Sequence, residues 1–300
     1  RDQPRSRGLG DVYKRQIYCI SASEFRYGNY RIDENTLCIF VSQSGETADT
    51  LAALKLSKEN KAQTLSVTNV LGSSLARLSD YVLYTCAGPE IAVASTKAYT
   101  TQLVLLACLC LKLASLFNKG VACKNHMINQ LKQMPDVVEQ MLAQEEKMAE
   151  FAKLLTNQKD AYFIGRQLDY LSVLEGALKL KEVSYVHADA YMAGELKHGP
   201  IALIEKDTVV IALATQPSVA QKTISNILET VARGAKVILI ASQSQNTEGF
   251  EYVIRIPDVD PLLSCIPATV LLQELAYYVA KEKGCDVDKP RNLAKSVTVE

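Results

Sequence analysis

Four segments of this 300-residue sequence hold side chains at spacings that can do chemistry. The first is Ser42-Gln43-Ser44-Gly45-Glu46-Thr47, which lies between an apolar run ending at Val41 and a helical pattern opening at Ala48. A helix N-terminus presents unpaired N–H groups and the positive end of the helix dipole, and hydroxyls donate without adding charge. The turn therefore predicts a phosphate-ester site. Capping of the helix would explain one hydroxyl, but this turn has three within six residues. Neither a GxxxxGKS/T loop nor a GxGxxG turn is present, which favours a small phosphorylated metabolite over a nucleotide.

The second segment is Glu175-Gly176-Ala177-Leu178-Lys179-Leu180-Lys181-Glu182. On a helix, Glu175, Lys179 and Glu182 fall at i, i+4 and i+7 and share one face. Spacing alone reads them as a surface salt-bridge ladder. The flanking Ala177, Leu178, Leu180 and Val183 form no clean separate stripe, so the helix is expected to bury more than one face. The third segment, 193–200, is bounded by Gly194, Gly199 and Pro200 and reads as a loop carrying His198, one of three histidines. His198 is either a general acid or base near neutral pH or a loop histidine bonded to backbone. His126 and His187, in or beside helical pattern, read as structural. The fourth segment is the tail, 288–300, where Pro290 stiffens the approach and Val297 and Val299 alternate with polar residues. A docked tail would deliver Lys295 to a site, where its amine can form a Schiff base with a carbonyl; a solvated tail is the alternative.

These side chains must be held by something larger. Short β-branched runs predict strands over 37–41, 64–68, 81–85, 161–165, 208–214, 236–241 and 252–256. Helical patterns fill 48–58, 96–117, about 125–155, 169–186, 219–233 and 267–283. The alternation predicts an α/β fold of βαβ units and a mainly parallel sheet covered on both faces, with ligands at the carboxyl ends of strands. The rhythm restarts near residue 150, and the length divided by about 150 residues per domain also gives two domains.

Lys plus Arg and Asp plus Glu each number 33, so a nucleic-acid coat or an anionic-membrane binder is excluded. With 48% hydrophobic and 22% charged residues the chain is not a disordered one. The eight cysteines form no CxxC pair and no metal-like cluster, and read as reduced thiols of a cytoplasmic protein with no metal or cofactor site. Cys108 and Cys110 are expected to be small buried hydrophobes. Their apolar run, 103–111, is shorter than the roughly 20 residues a membrane span needs, so a buried helix is expected there. Residues 1–16 carry five basic and two acidic residues and no apolar stretch, and read as a foreign or disordered leader.

SQSGETADTL, GPEIAVASTKAYTTQ, EGALKLKE, AGELKHGP and PRNLAKSVTVE, in that order from about residue 17 to the last residue, resemble the isomerase half of the glutamine–fructose-6-phosphate aminotransferase family. Within the wider sugar-isomerase (SIS) group, EGALKLKE, LKHGP and KSVTVE are similar to that family in particular. The resemblance implies two SIS-type, flavodoxin-like, three-layer αβα domains over 17–145 and 146–285, followed by an active-site tail over 286–300. It implies that Ser42, Gln43, Ser44 and Thr47 hold the 6-phosphate of fructose 6-phosphate, and that Val93, Ser95 and Ala294 line the sugar. Glu182 would move a proton between C1 and C2 with Lys179 beside it. His198 would assist ring opening from the neighbouring subunit of a homodimer, and Lys295 would form the imine. The implied product is glucosamine 6-phosphate, the first step towards UDP-N-acetylglucosamine, made without a cofactor. The family's glutaminase half, with its N-terminal cysteine nucleophile, and a first strand with its Gly-Thr-Ser loop have no counterpart here, so no glutamine hydrolysis is expected. A sugar-phosphate sensor built on the same fold is the alternative function.

Overall fold

The computed structural model describes residues 17–116, 121–296 and 298, without the side chains of 121–123. The leader 1–16, and Val297 and Val299 of the tail, lie outside the described residues. In chain order the elements are α1 (Ala22–Phe25), β1 (Leu37–Ser42), α2 (Ala48–Glu59), β2 (Gln63–Thr68), α3 (Ser74–Leu78), β3 (Tyr81–Tyr84), α4 (Lys97–Leu116), α5 (Val121–Leu142) and α6 (Glu145–Ala152). Then follow β4 (Asp160–Gly165), α7 (Leu168–Ser184), β5 (His187–Met192), β6 (Val209–Ala214), α8 (Ala220–Val231), β7 (Lys236–Ser242), β8 (Tyr252–Ile256) and α9 (Cys265–Glu282). The described residues form two compact units, one of residues 17–84 with Ser296 and Thr298, the other within Thr85–Lys295.

In the first unit, β1, β2 and β3 make a parallel sheet in that order. Alternate residues of β1 point to opposite faces. Phe40 packs with Ala53 and Leu54 of α2 and with Leu75 of α3, whereas Leu37, Ile39 and Val41 are exposed.

The second unit has a wholly parallel sheet in the order β5-β4-β6-β7-β8. Every residue of β6 is buried, as its continuous run VVIALA requires of a central strand covered on both faces. Val209, Ile211 and Leu213 face a core shared with α6, α7 and α9, while Val210, Ala212 and Ala214 face Ile227 of α8 and the chain at Ala193, Leu196 and Ile204. The result is helix, sheet, helix: the expected α/β architecture.

Three expectations need correction. Residues 187–192, where no strand is expected from the sequence, form β5 just beyond α7; HADAYM has no β-branched residue, and its strand state comes from edge pairing with β4. The pattern about 125–155 divides into α5 and α6, with Pro135 inside the first. Finally, α4 is not a buried helix. Among its residues only Ala98 is buried, and Cys108 and Cys110 are exposed. The helix extends beyond 103–111 to 20 residues with a mean hydropathy of 1.6, long and apolar enough to cross a membrane by length and composition. Only one face, Leu103, Val104, Ala107 and Leu111, packs against the cluster containing Met127, Met134, Leu263 and Ile266.

Candidate active site

The turn 42–47 is folded by its own side chains. Gly45 has φ +67, and a Cβ there would stand 2.2 Å from Ser73 Oγ, so the backbone accepts only glycine without strain. The Gly45 N–H donates to Ser42 Oγ (3.1 Å) and the Glu46 N–H to Ser44 Oγ (3.2 Å). Both hydroxyl oxygens thus accept from the turn, and the Ser44 O–H proton stays available as a donor. Thr47 occupies the N-cap of α2, yet its side chain makes no capping hydrogen bond; its Oγ1 lies 3.3 Å from Ser42 Oγ. Capping therefore does not consume the hydroxyls. Gln43 is fixed through its carbonyl, which accepts the Asn69 N–H at 3.1 Å.

In the second unit, α7 places the charged ladder indoors. Gly176 allows α7 to lie close to α9 and β4: a Cβ there would meet Leu272 at 2.8 Å and Phe163 at 3.1 Å. The close approach buries Glu175 to 8% exposure and Lys179 to 5%, so the surface-ladder reading fails. The Lys179 ammonium stands 2.5 Å from Glu182 Oε2 and 3.7 Å from Glu175 Oε1, and that Glu175 oxygen has no hydrogen-bond partner among the described residues. Burial pushes the Glu175 carboxyl up to about 7, against the pull of Lys179 and with the repulsion of Glu182. Glu182 is the more accessible acid, with a side-chain exposure of 22%. A positioned carboxylate of this kind, steadied by a buried ammonium, can carry a proton between neighbouring atoms.

The tail docks on the same unit. The Asp288 carbonyl accepts the Val93 N–H at 2.9 Å. Tyr185, the left-handed C-cap of α7 (φ 60, ψ 18), accepts the Arg291 N–H through its hydroxyl at 2.8 Å and carries the Arg291 guanidinium over its ring at 4.1 Å. These contacts bring the Lys295 amine to Ala92 O (2.6 Å) and Glu90 Oε2 (3.0 Å). Ala92, Ala94, Thr96, Lys179, Gln273 and Asp288 are among the residues lining a cavity of about 200 Å³. The chain at 92–96 that meets Lys295 thus shares a cavity wall with Lys179, and Val93 and Ser95 belong to that chain. Ala294 is exposed next to Lys295.

His198 ends a short 3-10 turn, Leu196–His198, and is exposed; among the described residues no hydrogen bond or ion pair reaches its ring. It is not brought to Glu182 or Lys295 by any contact. His187 pairs with Asp160 (Nδ1 to Oδ1, 2.9 Å), and His126 lies 3.7 Å from Asp260; both rings are exposed. The residues that sequence reasoning passed over are Glu90 and Tyr185. Glu90 had a local signal, an acidic residue shortly before a long helix, whereas nothing local marks Tyr185 as the tail's mooring.

The SIS domain model matches residues 16–112 and 154–276. The chain is 54% identical over 285 residues to the glutamine–fructose-6-phosphate aminotransferase [isomerizing] of Clostridium acetobutylicum, covering 93% of this chain and 46% of the relative. Its namesake from Thermococcus kodakarensis is 48% identical over 283 residues, with 93% and 47% covered. The chain thus spans about half the length of these relatives. Among solved structures, the C-terminal domain of glucosamine-fructose-6-phosphate aminotransferase from Francisella tularensis aligns with a TM-score of 0.85 and 40% identity, over 90% of this chain and 77% of that one. A glucosamine-6-phosphate deaminase from Thermotoga maritima aligns with a TM-score of 0.72 and 26% identity, over 92% and 80%. Parallel sheets with a hydroxyl-rich turn, two SIS matches and these similarities lead to one conclusion: the chain belongs to the SIS-domain family, alongside the C-terminal domains of glutamine–fructose-6-phosphate aminotransferases.

Proposed function

We propose that this chain is the isomerase half of a glutamine–fructose-6-phosphate aminotransferase, with SIS domains over 17–145 and 146–285 and an active-site tail over 286–300. It binds fructose 6-phosphate, with Ser42, Gln43, Ser44 and Thr47 donating to the phosphate and Val93, Ser95 and Ala294 lining the sugar. Lys295 condenses with the C2 ketone, releasing water, and ammonia from a glutaminase half displaces the lysine from C2. Glu182, steadied by Lys179, then takes a proton from C1 and returns it to C2. The O1 proton passes to nitrogen, leaving an aldehyde at C1 and an amine at C2, which is glucosamine 6-phosphate. His198 assists ring opening across a homodimer, a role compatible with its exposed, uncommitted ring. The dimer reading is supported by Leu171, Leu174 and Leu178, which are 54%, 41% and 43% exposed at i, i+3 and i+7 on α7. A cytoplasmic setting fits the seven described cysteines, all free thiols.

The observation that carries the reading is the buried Lys179 held 2.5 Å from Glu182 in the same unit that docks Lys295. The test is reductive trapping: the 300-residue chain with fructose 6-phosphate and borohydride should gain a hexitol phosphate at Lys295, located by peptide mass spectrometry. Sugar-phosphate binding without any adduct at Lys295 would refute the imine step and favour the sensor function.

A further inference from the structure

Lys295 does not hang free at the end of the tail. Its amine is held by two acceptors from one stretch of chain, the Glu90 carboxylate at 3.0 Å and the Ala92 carbonyl at 2.6 Å. Glu90 is itself committed on its other side. Its Oε1 accepts the Thr96 N–H at 2.8 Å and the Ala98 N–H at 3.3 Å, which are donors at the first turn of α4, and its side chain is only 3% exposed. One oxygen thus ties the carboxylate to a helix N-terminus and the other faces the amine. Between these anchors lie Val93 and Ser95, with the Val93 N–H bonded to Asp288 at the start of the tail.

We propose that Glu90 is the positioning residue and counter-ion of Lys295, a fixed negative charge that holds the amine in place before the imine forms and faces the iminium once it has formed. This rests on the imine reading above. Charge balance makes the role continuous. An ammonium and a ketone condense to a protonated imine and water: the nitrogen gives up two hydrogens, the carbonyl oxygen leaves with them, and one positive charge remains on nitrogen. Glu90 therefore faces a cation before and after the bond forms. Burial works against ionising Glu90, but the Thr96 N–H, Lys295 and the Ala98 N–H outweigh it and hold the carboxyl below its usual range. A dipole or charge fixed in advance next to developing charge needs no reorganisation during reaction, and this is how such groups stabilise reactive cations. Glu90 touches Lys295 and acts through it.

Glu90→Gln is the informative variant, because an amide oxygen can still accept from Thr96 and Ala98 while the charge facing Lys295 is lost. The first measurement uses no sugar: reductive methylation of the full chain with formaldehyde and cyanoborohydride, followed residue by residue by mass spectrometry. E90Q should methylate at Lys295 at least about threefold faster than the parent, with the exposed Lys197 and Lys289 unchanged; equal rates at Lys295 would overturn the clamp. The second measurement is borohydride trapping with saturating fructose 6-phosphate, where E90Q should form the Lys295 adduct about tenfold more slowly, with Glu90→Asp recovering part of the loss. A half-saturation concentration changed less than about twofold would separate this from a loosened sugar site. Trapping by E90Q at the parent rate would overturn the counter-ion role. A parent chain whose Lys295 is protected from methylation but forms no sugar adduct would instead refute the imine reading and leave the clamp standing.

Discussion

At Glu175, desolvation and the Lys179 ammonium act in opposite directions, and desolvation wins. The carboxyl rises from 4.5 to about 7, so between those values the folded chain binds more protons than the unfolded chain. Stability present below about pH 4.5 is then lost as pH rises to about 7. Buried Asp169, raised to about 6, and Glu274, raised to about 7, have the same sign. Glu90, lowered, has the opposite sign and loses its contribution as pH falls. Glu175→Gln removes one raised group, so the melting temperature of the variant should fall less between pH 5 and pH 8 than that of the parent. The difference corresponds to at most about 3 kcal/mol, and calorimetry at the two pH values reads it; equal pH slopes would place the effect on other groups. The shared face of Glu175, Lys179 and Glu182 is legible as spacing, since helix geometry is local. Their burial is not, because it depends on what α9 brings to that face.

The α7–α9 contact is set at Gly176, where the nearest atoms of Leu272 and Phe163 leave no room for a branched side chain. Gly176→Val must separate the helices or distort rotamers. It should cost about 1–3 kcal/mol, as overpacking of a filled core does, and a lowered urea midpoint checks it. Borohydride trapping at Lys295 should fall in the same variant, because α7 ends in Tyr185, the residue that moors the tail. At this scale most elements were readable. The runs that became β1, β2, β6, β7 and β8 are β-rich and bounded by polar turns, and α9 begins and ends within two residues of its expected span. β5 escaped because HADAYM has neither β-branched residues nor a clear alternation, and only pairing with β4 makes it a strand. The break between α5 and α6 escaped because the helical pattern on both sides of it is continuous.

Among the described residues, apolar surface remains uncovered on the outer face of α4, on Leu37, Ile39 and Val41 of β1, and along the Leu171, Leu174, Leu178 stripe of α7. A contiguous exposed apolar stripe marks an interaction surface. On the homodimer reading, Leu174→Asp should shift the chain to monomer in sedimentation velocity at micromolar concentration. Any activity that needs His198 from the partner should fall with it. A Leu174→Asp chain that sediments unchanged as a dimer would place the interface elsewhere.

The sequence by itself determined whatever depends on neighbours a few residues away. That includes the parallel α/β rhythm, the hydroxyl turn at 42–47 before α2, the face shared by Glu175, Lys179 and Glu182, and the order of motifs that marks the family. Only the tertiary structure decided which charges are buried and which groups meet. Lys295 and Glu90 lie 205 residues apart; Arg291 and Tyr185 are 106 apart. The physical reason is range. Periodicity, capping and turn chemistry are written in local backbone geometry, whereas desolvation and long-range pairing depend on which surfaces the packed chain presses together.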